Sequence, residues 1–208
     1  MIYVNGMYRS GSTVIYNIII HLITDKLITT SVQKTHQNWL NFTVKSSDLN
    51  IYSFRDVRTA TASLMRRKGW SEHNFPHPVL RGEKTAKEFM LFLVRTNNSI
   101  KTKCNAENLS MCSIQYETEV RNLEKGITKL LDYLEVDVPT EVKNILYECH
   151  KVETVKNYVD SICRKEDKRT KYHPNHVSLN NTLFEDYMSS ESWDDATIKE
   201  WLTNNEYY

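Results

Sequence analysis

The chain begins with a short apolar run, Ile2-Tyr3-Val4, and passes into a turn-like stretch, Gly6-Met7-Tyr8-Arg9-Ser10-Gly11-Ser12-Thr13. From Thr13 the hydrophobic period changes. Val14, Ile15, Ile18, Ile19, Leu22 and Ile23 recur at the spacing that lines one face of a helix. The pattern predicts strand, loop, helix. Leu27 to Gln33 and Leu49 to Phe54 read as the next two strands, and the latter leads into Arg55-Asp56 and a helix through Leu64 and Met65. Arg66-Arg67-Lys68 reads as the solvated end of that helix. Residues 70–82 hold Trp70, Phe75, Pro76, His77, Pro78 and Gly82 and read as an irregular loop. Helical periodicity returns from Glu83 to Thr96, residues 97–109 read as polar loop, and Met111 to Tyr116 as a fourth strand. Val120, Leu123, Ile127, Leu130, Leu131 and Leu134 mark an amphipathic helix. After Pro139, a residue suited to a helix N-terminus, one stripe from Val142 to Ile162 continues to about Arg164. Residues 165–182 are polar, and a short helix is predicted around Ala196 to Leu202. Strands alternating with helices predict an α/β fold, a three-layer α/β/α arrangement around a central, mostly parallel sheet.

Composition narrows the possibilities. A chain of 208 residues is long enough for one domain, 1–208, with a substantial core followed by a helical and loop part. Its 27 basic and 26 acidic residues leave a net charge of +1. That balance argues against a nucleic-acid-coating protein but leaves room for one small basic pocket. The most apolar stretch, Val14 to Ile23, is interrupted by Asn17 and His21 and is too short to span a bilayer. Met1 runs directly into the first strand, and Cys104, Cys112, Cys149 and Cys163 form no C-x-x-C pair. The expectation is a cytoplasmic protein with reduced thiols and no metal site.

The first loop carries the most chemistry. Gly6 and Gly11 stand at G-x-x-x-x-G spacing, with Thr13 at the Ser/Thr position of a phosphate-binding loop. Glycines let backbone N–H groups converge on an anion, and the helix that follows adds its positive end. Ser12 stands where a nucleotide triphosphatase carries the lysine for the β- and γ-phosphates. Arg9 supplies a cation from inside the loop instead.

Tyr8-Arg9-Ser10-Gly11-Ser12-Thr13 resembles the 5′-phosphosulfate loop of the sulfotransferases that use 3′-phosphoadenosine 5′-phosphosulfate (PAPS), with Tyr8 in place of the usual proline. Three further stretches resemble the same family in the same order. Ile51-Tyr52-Ser53-Phe54-Arg55-Asp56, with Ser63 eight residues after Arg55, is similar to its 3′-phosphate site. Lys34-Thr35-His36 resembles the Lys-Thr-His segment of its cytosolic members. Ile114-Gln115-Tyr116-Glu117, followed by Leu130-Leu131-Asp132-Tyr133-Leu134, resembles its Arg-Tyr-Glu-Asp-Leu strand and the helix beyond, a stretch with mainly structural roles. The resemblance covers residues 2–137. Arg67-Lys68-Gly69 matches the family's closing Arg-Lys-Gly loop in letters but occurs far too early, and His173 to Ser178 matches only loosely the His-containing segment of smaller bacterial members.

The resemblance implies the P-loop-NTPase-like sulfotransferase fold and transfer of a sulfuryl group from PAPS to an acceptor hydroxyl or amine, with 3′,5′-bisphosphoadenosine (PAP) as product and no metal. It implies that Ser10, Gly11, Ser12 and Thr13 hold the 5′-phosphosulfate, and that Arg9 and Lys34 offset charge during transfer. Arg55 and Ser63 would bind the 3′-phosphate, and His36 would take the acceptor proton. The acceptor would be a small molecule or glycan, its identity and the oligomeric state being open. Trp70, His73, Phe75 and His77 either line an acceptor pocket or pack an ordinary loop. Two other readings stand beside this one: a small P-loop kinase in which Arg9 replaces the lysine, and a non-catalytic binding module on the same fold.

Overall fold

A computed structural model describes residues 1–35, 47–161 and 183–207. Four strands, β1 (Ile2–Gly6), β2 (Val32–Thr35), β3 (Leu49–Phe54) and β4 (Met111–Gln115), form one sheet in the order β2-β1-β3-β4, and every pairing is parallel. Seven α-helices accompany it among the described residues: α1 (Ser12–Thr24), α2 (Val57–Lys68), α3 (Ala86–Ala106), α4 (Leu123–Tyr133), α5 (Thr140–His150), α6 (Val152–Ser161) and α7 (Ala196–Asn204). The predicted α/β layering with a parallel sheet is what the chain adopts.

Side-chain alternation along the strands separates two cores. Ile2, Val4, Ile51, Cys112 and Ile114 face α1, α4 and α5, where Ile15, Ile19, Leu22, Ile127 and Leu131 close on them. On the opposite face Tyr52 packs with Ile100 and Cys104 of α3. A larger cluster around Val57, Leu64, Phe75, Phe89, Leu93 and Trp201 joins α2, α3 and α7. Strands buried on both faces are what an all-parallel sheet requires.

Several elements differ from the sequence reading. β2 starts at Val32, because Leu27 closes α1 rather than beginning a strand. The Leu27 N–H donates to Leu22 O at 2.9 Å and the Lys26 N–H to Ile23 O at 3.0 Å, with Lys26 at φ 58°. These are the two bonds of a Schellman cap, whose hydrophobic contact explains the apolar residue. α3 runs ten residues past Thr96, since Asn97, Ile100 and Cys104 continue its buried face and Asn97 Oδ1 accepts the Trp201 indole N–H at 3.1 Å. The single stripe expected after Pro139 is two helices, broken where Lys151 is extended at ψ 149°.

β4 ends in a π-helical turn, Tyr116–Val120, which α4 grips through Gly126. A Cβ on Gly126 would lie 2.2 Å from the Glu119 carbonyl oxygen. Gly126→Ala is therefore expected to cost about 3 kcal/mol, since backbone rather than a flexible side chain must give way. In a domain of this size that lowers the melting temperature by roughly 6–12 °C, which a thermal unfolding scan will read.

The topology sets where a ligand can sit. The connection leaving β1 runs to β2 on one side, and the one leaving β3 runs to β4 on the other. Their carboxyl ends thus flank a switch point, the crevice where open α/β sheets bind ligands.

Candidate functional site

The loop between β1 and α1 lies at that crevice. Gly6 pairs with Ser53 across the sheet, and a Cβ there would fall 2.3 Å from the Ser53 hydroxyl. The Met7 N–H donates to Ser53 O at 2.9 Å, and the Ser10 and Ser53 hydroxyls lie 2.7 Å apart. The Ser10 N–H and hydroxyl both donate to Met7 O, at 3.2 and 2.7 Å. Ser10 therefore shapes the loop with groups that the resemblance assigns to the ligand. Ser53, buried and unmarked by any motif role, is its main anchor. Arg9 and Gly11 take left-handed backbone, φ 64° and 83°, an uncommon conformation for an arginine.

α1 begins at Ser12 with no side chain capping it and no acidic residue in its first turn. By contrast α2, α3, α4 and α7 are capped by Asp56, Thr85, Asn122 and Asp195. An open helix N-terminus leaves main-chain donors and a partial positive charge for an anion.

Cations converge on this end. Arg9 Nε donates to the buried Ser63 hydroxyl of α2 at 3.2 Å, and Arg55 Nη1 donates to the Arg9 carbonyl at 3.3 Å. Arg9, Arg55 and Ser63, separated by 46 and 54 positions in the chain, thus meet in one cluster. Burial, with Arg67 and Arg55 adding like-charge repulsion, lowers the Arg9 guanidinium to about 10, so it stays a cation at neutral pH. Arg67 lies one helical turn beyond Ser63 on α2, close enough to act on Arg9, which its place in a basic helix end does not disclose.

Arg55 is held on three sides. Its guanidinium lies 4.3 Å from the centre of the Tyr116 ring, and its Nε is 3.6 Å from Glu117 Oε1, too far for a hydrogen bond. That Nε is a buried donor without an acceptor. Burial lowers the Arg55 pKa and raises that of Glu117. Asp56, adjacent in sequence, does not pair with Arg55. It caps α2 and binds Arg58 at 2.8 Å. Tyr116 and Glu117, read as structural, are therefore part of the Arg55 surroundings. The signal in the sequence was their position at the carboxyl end of a strand beside β3.

Lys34, near the end of β2, reaches across to donate to Thr13 Oγ1 at 2.5 Å, and burial lowers its pKa to about 8. A cation there attracts an anion at pH 7 and ceases to as pH rises through about 8. The affinity of the site for a phosphate- or sulfate-bearing ligand is expected to fall several-fold between pH 7 and 9, and Lys34→Gln to flatten that limb, as titration calorimetry at the two pH values will show. His36 lies outside the described residues. Among the described residues no group of three His, Cys, Asp or Glu side chains is placed to hold a metal ion, and no helix is long and apolar enough to cross a membrane.

The loop of residues 70–82 is largely exposed, but Phe75, His77 and Leu80 turn inward. Phe75 is fully buried, His77 is buried within 4.9 Å of Tyr8 and 4.7 Å of Phe89 by ring centres, Trp70 is half-buried and His73 is exposed. His77 Nδ1 accepts the Val79 N–H at 3.3 Å, and burial lowers its pKa to about 4. Phe75 and His77 pack the core beneath Tyr8.

The donors present can meet two anionic groups: one at the open helix end beside Arg9, another at Arg55 with its spare Nε and Ser63. No protein-family model matches the sequence, nor does any curated protein. Solved structures do match in fold. The mouse sulfotransferase SULT7A1 complexed with PAP aligns over 99% of this chain and 86% of its own, at 14% identity and a TM-score of 0.66. Retinol dehydratase in complex with androsterone and the inactive cofactor PAP aligns over 98% and 80%, at 14% identity and 0.60. Retinol dehydratase with retinol and PAP gives 0.58 over the same shares. The fold of this chain is that of the PAPS-dependent sulfotransferases.

Proposed function

We propose that this chain is a PAPS-dependent sulfotransferase acting on a hydroxyl or amine of a small-molecule or glycan acceptor. The observation that carries the reading is the convergence of Arg9, Arg55 and Ser63 beside the uncapped start of α1, on a fold whose solved relatives bind PAP. The androsterone and retinol in the retinol dehydratase structures favour a hydroxyl-bearing small-molecule acceptor.

PAPS supplies the sulfuryl group and PAP as leaving group. Main-chain N–H groups at Gly11 to Thr13 orient the 5′ end, and Arg9 offsets charge growing on the leaving oxygen. Preorganised donors of this kind typically contribute about 3–4 kcal/mol each. Lys34, through Thr13, adds a second cation. Arg55 uses its guanidinium fork on the 3′-phosphate, where bidentate geometry suits a planar donor, and the Ser63 hydroxyl adds a further donor. His36 accepts the acceptor proton, an imidazole task near neutral pH. The acceptor oxygen or nitrogen forms the new bond to sulfur as the bond from sulfur to the bridging phosphate oxygen breaks.

Incubation with sulfur-labelled PAPS and a panel of phenols, sterols, retinoids, sugars and amines tests this reading. Transfer of label without added magnesium is expected. Release of label to water alone would make the chain a hydrolase of PAPS and overturn the transferase reading, and no release with any acceptor would leave a binding module. His36→Ala is expected to cut turnover by about 100-fold with PAP affinity unchanged, and undiminished turnover would point to another base.

A further inference from the structure

The segment after α7 folds back onto the candidate site. Tyr207 stacks on Trp201, with ring centres 5.6 Å apart and planes 21° apart, and its N–H donates to Leu202 O at 2.9 Å. Its carbonyl accepts from Arg58 Nη2 at 2.9 Å, and its hydroxyl donates to Glu117 Oε2 at 3.0 Å. The ring is thus fixed from two sides, and the hydroxyl reaches the carboxylate that faces Arg55.

Glu117 stops short of Arg55. Its Oε1 accepts the Asp56 N–H at 3.3 Å and stands 3.6 Å from Arg55 Nε. A direct guanidinium–carboxylate bond closes to about 2.8 Å. Between these two groups remains a gap, with the Arg55 donor buried and lacking an acceptor. Arg55 is itself fixed by the Arg9 carbonyl and the Tyr116 ring, so the gap can close only if Glu117 moves. Glu117 is restrained at both oxygens: by the Asp56 main chain at one and by Tyr207 at the other.

We propose that Tyr207 is a positioning residue that holds the Glu117–Arg55 ion pair short of a direct hydrogen bond, and so keeps the Arg55 fork available for a 3′-phosphate. This rests on the sulfotransferase reading of the site. A carboxylate free to close on Arg55 would compete with the phosphate. Held back, it balances the buried cation without occupying its donor. Specificity for a nucleotide bearing a 3′-phosphate then depends on a tyrosine 152 positions distant in sequence from the arginine it serves.

Tyr207→Phe keeps the stacking ring and both main-chain bonds and removes only the hydroxyl. Calorimetric titration with PAP and with adenosine 5′-phosphate, at one ionic strength, separates the possibilities. Tyr207→Phe is expected to weaken PAP binding about five- to tenfold and to change the 5′-phosphate ligand less than twofold. In a Glu117→Gln background, which lacks the competing charge, the same substitution is expected to change PAP binding less than twofold. An unchanged PAP affinity, an equal loss for both ligands, or an equal loss in both backgrounds would reduce Tyr207 to an anchor of the segment and overturn the proposal. Wild-type protein that does not prefer PAP over adenosine 5′-phosphate would instead refute the underlying reading of the site.

Discussion

Arg55→Ala is expected to weaken PAP binding by about 100-fold while leaving the ligand-free protein about as stable as before. Two losses add. The 3′-phosphate loses a charge-assisted, bidentate partner, and one charged hydrogen bond is worth about 1.5–3 kcal/mol. The Arg9 carbonyl also loses the donor that ties the loop to the end of β3, so the second arginine is less well aimed. Stability moves little because burial, the largest effect on Arg55, works against its charge and offsets what Tyr116, Glu117 and Asp56 return to it. The ring contact with Tyr116 is worth about 1 kcal/mol of that return. Adenosine 5′-phosphate, which has no 3′-phosphate, is expected to lose much less. Affinity for PAP within twofold of wild type would remove Arg55 from the site.

The second large effect is expected at Gly11. Its φ of 83° disfavours any side chain, and a Cβ there would sit 2.6 Å from Val120 Cγ1 and 3.1 Å from Tyr116 Cδ2. Gly11→Ala combines left-handed strain of about 1–2 kcal/mol with a clash of similar size. A total of about 3 kcal/mol corresponds to a melting temperature lower by roughly 6–12 °C. The damage is directional. Pushing Tyr116 moves the ring on which Arg55 rests, so PAP binding is expected to fall with stability. Adding Val120→Ala relieves the clash but not the strain, and is expected to restore about half of the lost stability. A Gly11→Ala protein that melts and binds like wild type would mean the loop does not close against the π-helical turn.

How much of this was legible in the sequence differs by element. β1, β3 and α1 stood out, because an apolar run that gives way to a 3.6-residue period is what a strand feeding a helix produces. β3 was bounded to the residue, since Arg55-Asp56 marks where strand gives way to helix cap. α3 was cut short because Asn97 looks like a loop residue until the Trp201 indole that uses it is known, and that partner is 104 positions away. Leu27 looked like the start of a strand because helix-closing contacts and strand starts both call for an apolar residue after a polar pair.

Within the site, Arg9 was legible from its place inside the loop, Arg55 and Ser63 only through the family resemblance, and the fold sets the three side by side. Ser53, Tyr116, Glu117 and Tyr207 were not assigned chemistry, because each acts through another residue: Ser53 on the loop, Tyr116 and Glu117 on Arg55, Tyr207 on Glu117. A motif registers groups that would touch a ligand. Groups that hold those groups become visible only when distant segments are placed side by side. Ser10 is the converse case, a motif residue whose donors the loop itself consumes.

On the reading proposed above, the crevice between β1 and β3 accepts a nucleotide carrying phosphates at both the 5′ and 3′ positions and not a triphosphate. Calorimetric titration of the full chain with PAP, set against ATP with magnesium under the same conditions, tests it most directly. Binding of PAP at least 100-fold tighter than ATP is expected, with the difference largely gone in Arg55→Ala. Tighter binding of ATP with magnesium, or a PAP affinity indifferent to Arg55, would contradict it.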